Sequence, residues 1–299
     1  MTPKRVIISG ASGLIGQALT ASLREDGSEV VHLVRRRAST PHEVEWLTDD
    51  DALSPDVLAG ADAVVNLNGA SIGRLPWGSR YQKTLRESRL RPTRTLAAAL
   101  TSLGDQAPAL ISASAVGYYG DRSGATVDEQ SGPGRGFLAE LCVEWEGAAL
   151  AASDRTRVAL LRTAPLLHPA AVLKSMILLT RMGLGGPLGP GTQLWPWISL
   201  EDEVRAIRHV ISTDLTGPVN LSGPTPATAG QIGRELARRL HRPYLLPAPS
   251  WALRAALGRP AADALLLASV DAVPAALTGT GFAFEHHSAA AAIATALQG

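Results

Sequence analysis

The sequence predicts an α/β fold, a doubly wound parallel sheet followed by a small helix-rich C-terminal module, on three observations. An apolar run, Val6-Ile7-Ile8, enters a glycine triplet, Gly10, Gly13 and Gly16, that opens a helical pattern. Short apolar runs at 29–34, 61–70, 108–114, 158–161 and 217–221 then alternate with helical stretches, which implies parallel strands joined by right-handed crossovers. Beyond His241, Pro243, Pro247 and Pro249 lead into helical stretches with no further glycine motif.

The opening unit is the most informative. After a buried strand, one glycine turns the chain sharply, a second lets a pyrophosphate approach the backbone, and a third lets the helix pack against the sheet. Phosphate then sits on the helix N-terminus, where unpaired N–H groups and the helix dipole stabilise negative charge. Gly10, Ser12, Gly13, Leu14, Ile15 and Gly16 are the expected contacts, with a helix over about 13–26. This is a Rossmann-type dinucleotide unit. Its second strand ends in Val34-Arg35-Arg36-Arg37. A site for NAD places an acidic residue about 20 positions beyond the glycines for the ribose 2′-hydroxyl, whereas arginine suits a 2′-phosphate. NADP is therefore the expected cofactor, with Arg35 and Arg36 as its clamp and Ser12 as a phosphate donor. Three solvated arginines in a loop are the plainer reading of the same residues.

From 38 to 60 the chain is polar, includes Asp49-Asp50-Asp51, and reads as loop with little regular structure. The strand at 61–70 ends in Asn68-Gly69-Ala70, small and amide residues that leave room for a ligand at a sheet edge, so these three join the expected cofactor contacts. A helix over 78–103 contains Pro92, which predicts a kink or two abutting helices at 90–93. The strand at 108–114 runs into Ala115-Val116-Gly117-Tyr118-Tyr119-Gly120. The helix at 136–152 carries an apolar stripe of Leu138, Leu141, Cys142 and Trp145. An apolar helix spans about 171–182. The Gly- and Pro-rich segment 183–197 ends in Trp195-Pro196-Trp197; it either covers a substrate or is pinned to its own domain by the two tryptophans. Thr228 caps a helix reaching Leu240. The expected division is 1–241 for the nucleotide-binding domain, with substrate-side elements from about 164, and 242–299 for the C-terminal module.

A net charge of +1 and scattered arginines give no basis for a nucleic-acid partner or an anionic membrane surface. No uncharged apolar stretch of about 20 residues marks a membrane span. The single cysteine, Cys142, rules out an internal disulfide and, with no signal peptide, fits a cytoplasmic location. His286-His287 lacks a third ligand nearby, so no metal site is expected. Oligomeric state is not legible.

The glycine motif, Asn66-Leu67-Asn68-Gly69 and Ser112-Ala113-Ser114-Ala115-Val116-Gly117-Tyr118-Tyr119-Gly120 resemble the extended or atypical branch of the short-chain dehydrogenase/reductases. The segments 183–191, 195–202 and 242–284 resemble epimerase-family proteins with a C-terminal domain of unknown function. The resemblance spans nearly the whole chain. It implies a Rossmann fold, NADP binding, and an enzyme of the nucleoside-diphosphate-sugar epimerase type. That superfamily uses a serine or threonine, a tyrosine, and a lysine four residues after the tyrosine, whose ammonium favours tyrosinate for proton exchange. Ser114 matches the serine. Leu138 and Cys142 occupy the tyrosine and lysine places, so the pair is missing. Tyr118 or Tyr119 is the expected substitute, and Trp195 and Trp197 the expected substrate-side residues. The function this implies is an NADP-dependent oxidoreductase or epimerase-like enzyme acting on a small polar carbonyl or alcohol. A non-catalytic NADP sensor or partner-binding protein is the alternative.

Overall fold

The computed structural model describes residues 4–48 and 52–298; the run Asp49-Asp50-Asp51 lies outside the described residues. The opening apolar run forms β1 (Arg5–Ser9), followed by α1 (Leu14–Glu25), β2 (Glu29–Val34), β3 (Glu43–Glu45), β4 (Ala63–Asn66), α2 (Ser79–Leu103) and β5 (Ala109–Ala115). Next come β6 (Thr126–Val127), α3 (Phe137–Leu150), β7 (Val158–Thr163), α4 (Leu173–Arg181), β8 (Leu194–Trp195), α5 (Leu200–Ser212), β9 (Gly217–Leu221), β10 (Ala227–Thr228) and α6 (Ala229–Arg239). The C-terminal stretch holds α7 (Ser250–Leu257), α8 (Arg259–Ala262), β11 (Asp271–Ala272), α9 (Ala275–Gly279) and α10 (Ala289–Ala296).

Seven strands make one parallel sheet in the order β3-β2-β1-β4-β5-β7-β9. The chain runs outward from β1 in one direction through β2 and in the other through β4. The strand ends therefore part at β1/β4, the crevice in which such sheets take ligands. Alternation along each strand divides the core in two. Val6, Ile8 and Val65 face α1 and α5, packing with Leu19, Leu23, Ile207 and Val210. Ile7, Val64, Leu110 and Leu160 face α2 and α3, packing with Leu96, Leu100 and Ala149. Near-continuous apolar strands are what a sheet covered on both faces demands.

Two expectations need correction. The stretch 38–60, read as loop with little regular structure, contributes a strand to the main sheet: β3 pairs with β2, Glu43 opposite His32, and a 3-10 turn spans Pro55–Val57. A three-residue strand flanked by glutamates suits an exposed sheet edge and has too little apolar pattern to be read in advance. The second concerns Pro92: of the two alternatives, a kink or two abutting helices, the latter is ruled out, since α2 is one helix running through it. The hydroxyls of Thr93 and Thr95 donate to the carbonyls of Arg89 and Arg91, one turn back. They satisfy backbone acceptors beside the one that proline leaves without its amide.

The cap expected at Thr228 is a full capping box with Gln231. The C-terminal stretch is tied to the rest at several places. β11 pairs with β6, Leu188 bridges to Ala248, and the Asp202 carboxylate accepts the backbone N–H groups of Glu285 and His286. Among the described residues no helix is long and apolar enough to cross a membrane.

Candidate cofactor and catalytic site

The glycine turn is built by close backbone approach. Gly10 adopts φ +78°, and a Cβ there would lie 2.6 Å from the Leu67 carbonyl oxygen at the end of β4. A Cβ on Gly16 would lie 2.6 Å from the Gly10 carbonyl oxygen, so α1 can start this close to β1 only without a side chain. The first helical bond runs from the Gln17 N–H to the Gly13 carbonyl, which leaves the amides of Leu14, Ile15 and Gly16 outside the helical ladder. No side chain caps α1 and no acid lies in its first turn, while Ser12 and Gly13 are exposed. The donors and their field thus fit a diphosphate, and Gly10, Ser12, Gly13, Leu14, Ile15 and Gly16 all come together there.

At the end of β2 the two arginines differ. Arg36 closes a two-pronged ion pair on Glu43 of β3, at 2.9 and 2.5 Å, and also bonds Ser39. The bonds from Arg36 and Ser39 hold the Glu43 carboxyl down at about 2. Arg35 is exposed and carries no polar partner among the described residues. Arg36 is therefore already engaged, which the loop reading of this stretch did not anticipate. At the end of β4, Asn68 donates to the Asn66 Oδ1 at 2.9 Å, Gly69 is exposed, and the Ala70 N–H bonds the Ser88 hydroxyl at 2.9 Å. Asn66 also accepts from Ser9 and donates to Thr93 and Ser112, pinning β1, β4 and β5 to α2.

Ser114 and the tyrosines lie in a second buried network. The Ser114 hydroxyl donates to the Glu146 Oε1 at 2.6 Å, and Arg162 grips both oxygens of Glu146 at 2.9 Å. Arg162 Nη1 donates to the Tyr119 oxygen at 3.0 Å, and Tyr119 in turn donates to the Asn220 Oδ1 at 2.7 Å. The Arg162 guanidinium also stacks 3.5 Å from the centre of the Tyr118 ring. Burial opposes the Arg162 charge, yet Glu146 and Tyr119 together raise its pKa, so it stays a cation. Burial likewise raises the Tyr119 phenol, against the pull of Arg162.

This geometry separates the two tyrosines. Tyr119 is wholly buried with its proton committed to Asn220, which removes it as a donor to a substrate. Tyr118 is partly exposed, and its hydroxyl has no protein partner among the described residues. On α3, Leu138 packs against the buried cluster of Trp77, Leu85, Leu141 and Ala261, and burial pushes the Cys142 thiol up to about 12, an inert hydrophobe's behaviour.

Trp195 and Trp197 are not on an open face. Both sit in a satellite core with Ile232, Leu236, Ala292 and Ile293, and Trp197 is 1% exposed. The cavity they line with Gly223 and Val270 holds about 20 Å³, room for a water and no substrate. The indole N–H of Trp197 is satisfied by the Thr225 carbonyl at 2.9 Å. The substrate-side assignment of both residues is thus replaced by a core role. Glu146, Arg162 and Asn220 were missed by sequence reasoning. The available signal was a glutamate on the apolar stripe of α3 and an arginine inside an otherwise apolar strand.

The profile of the NAD dependent epimerase/dehydratase family matches residues 6–221, and that of DUF1731, a domain of unknown function, matches residues 248–296. The chain is similar at 44% identity over 286 residues to the epimerase family protein Mb2239 of Mycobacterium bovis, covering 95% of this chain and 94% of that protein. The structure of human epimerase family protein SDR39U1 with NADPH is similar at TM-score 0.87 and 31% identity, over 98% of this chain and 99% of that one. A nucleoside-diphosphate sugar epimerase structure from Corynebacterium glutamicum gives TM-score 0.80 and 34% identity, over 99% of this chain and 58% of that one.

Proposed function

The chain belongs to the NAD dependent epimerase/dehydratase family, and from that premise we propose that it is an NADP-dependent oxidoreductase or epimerase-like enzyme acting on a small polar carbonyl or alcohol. The sugar part of a nucleoside-diphosphate sugar, the substrate class named for the Corynebacterium relative, is the first candidate. The observation that carries the enzymatic reading is the buried Ser114–Glu146–Arg162 cluster beside Tyr118, at the C-terminal ends of β5 and β7. A bound NADP would supply hydride exchange. Gly10, Ser12, Gly13, Leu14, Ile15 and Gly16 would hold its diphosphate, Arg35 its 2′-phosphate, and Asn68, Gly69 and Ala70 its inner edge. The NADPH carried by the human relative supports NADP over NAD.

In this reading the residues of the chain handle the proton. Tyr118, its ring stacked on the Arg162 guanidinium and its hydroxyl free of protein partners among the described residues, gives or takes it at its phenol oxygen. Ser114, whose own proton goes to Glu146, offers its oxygen lone pairs to a substrate hydroxyl. The second reading, a non-catalytic NADP-binding protein, is favoured by that same committed Ser114 proton and by Leu138 and Cys142 standing where tyrosine and lysine are expected. NADPH oxidation on addition of nucleoside-diphosphate 4-keto sugars and simple carbonyls separates the two. Turnover lost in Tyr118→Phe supports the enzyme, and no oxidation with any of them, in protein that binds NADPH, supports the sensor.

A further inference from the structure

The lysine place on α3 is taken by Cys142, yet the crevice does not lack a cation. Arg89 reaches in from α2. Its Nη1 donates to the Leu85 carbonyl at 3.0 Å, its Nη2 to the Ala70 carbonyl at 3.2 Å, and its guanidinium lies 5.1 Å from the centre of a Trp145 ring. It lies directly behind exposed Gly69, where a Cβ would meet the guanidinium at 3.1 Å. Gly69 follows Leu67 and Asn68, the residues against which the Gly10 turn is packed, so the cation borders the expected diphosphate path. Cys142 is within electrostatic reach.

No carboxylate pairs with Arg89 among the described residues, whereas Arg36, Arg162, Arg208 and Arg254 each hold one. Burial lowers the pKa of Arg89, a cost that a partner anion would offset. A guanidinium has five N–H donors and two are used on carbonyls, so among the described residues three meet no protein acceptor. A fork of that kind matches the oxygens of a phosphate or carboxylate.

We propose that Arg89 is an anion-binding residue of the crevice, its charge reserved for a phosphate or carboxylate of a bound ligand, supplying from α2 the positive charge that position 142 lacks on α3. It rests on the site assignment above, and its test uses binding and no turnover, so it stands or falls apart from the enzymatic reading.

The anion belongs either to the cofactor or to a second ligand. NADPH is titrated by fluorescence, and inorganic pyrophosphate is titrated by calorimetry into NADPH-loaded protein, for the parent, Arg89→Met and Arg89→Lys. Arg89→Met weakens one of the two at least tenfold and Arg89→Lys recovers most of it. Loss of NADPH affinity assigns the anion to the cofactor, and loss of pyrophosphate affinity alone assigns it to the substrate. A folded Arg89→Met that binds both like the parent overturns the proposal and leaves Arg89 a structural bridge between Leu85 and Ala70. Should that variant not fold, the arginine Nε–H spectrum of the parent decides. The Arg89 resonance shifts on addition of NADPH or pyrophosphate, and no shift with either overturns the proposal.

Discussion

At the scale of single residues, side-chain partners sort the polar groups of the site more finely than their identities do. Glu203 is wholly buried, accepts one bond from the Thr163 hydroxyl at 2.9 Å, and has an Oε2 without a partner. Burial raises its pKa from 4.5 to about 8. A carboxyl raised in the folded state contributes stability that is fully present below its unfolded pKa and is lost as pH climbs from 4.5 through 8, at up to about 1.4 kcal/mol per unit. Glu203→Gln keeps an acceptor for Thr163 and cannot ionise. Urea unfolding should find it more stable than the parent at pH 8 and no better at pH 5; equal gains at both would rule out the ionisation account. Cys142→Ser should leave NADPH binding intact at a modest stability cost. Ser114→Ala, which strips Glu146 of one donor, should lower any turnover by an order of magnitude or more. On the cofactor side, Arg35→Ala should narrow the preference for NADPH over NADH more than Arg36→Ala, and Glu43→Gln, by releasing Arg36, should widen it. Direct titration of both nucleotides checks all three. The glycine motif was legible because its turn depends on neighbours in sequence, whereas Ser114 was picked out by its family resemblance alone. The partners of Arg36, Ser114 and Tyr119 were not legible, since each bond spans strands or helices brought together only by the sheet.

At the scale of elements, apolar runs and helical patterns announced six of the seven strands of the main sheet and the helices α1, α2, α3, α4 and α6, whereas β3 and the two-residue strands β6, β8, β10 and β11 were not expected, and the misreadings fall where tertiary context outvotes local pattern. β3 exists because β2 offers it an edge. Pro92 sits inside α2, which runs on through it. Trp195 and Trp197 looked like a cover for a ligand, since large aromatics in a Gly- and Pro-rich loop must bury somewhere, and sequence alone could not say against what. They bury against α6 and α10. Trp197→Ala should accordingly cost about 3–5 kcal/mol of stability while NADPH affinity in the surviving folded fraction stays within a few-fold. Chemical denaturation monitors the first and titration the second, and an unchanged unfolding midpoint would return the loop to the substrate wall.

At the scale of the whole molecule, the C-terminal stretch is woven into the sheet domain through β11, the Asp202 carboxylate and the packing of Ala261 with Trp77, Leu85 and Leu141. We propose that 1–241 and 242–299 do not unfold separately. Calorimetry should give one transition for the full chain, and a chain stopped after residue 241 should fail to reach it; two resolved transitions would mark an independent module. The β6–β11 contact also sets a schedule. Thr126 bonds Asp271 across 145 residues of chain. At a synthesis rate of about 5–20 residues per second, β6 waits roughly 7–30 s on the ribosome for the strand that pairs with it. For that interval all seven strands of the main sheet are available in turn, but Trp77 and Leu141 have no Ala261 to cover them. The newborn chain thus carries an open apolar seam at Trp77 and Leu141 until Ala261 arrives, a surface open to chaperones and to its own neighbours.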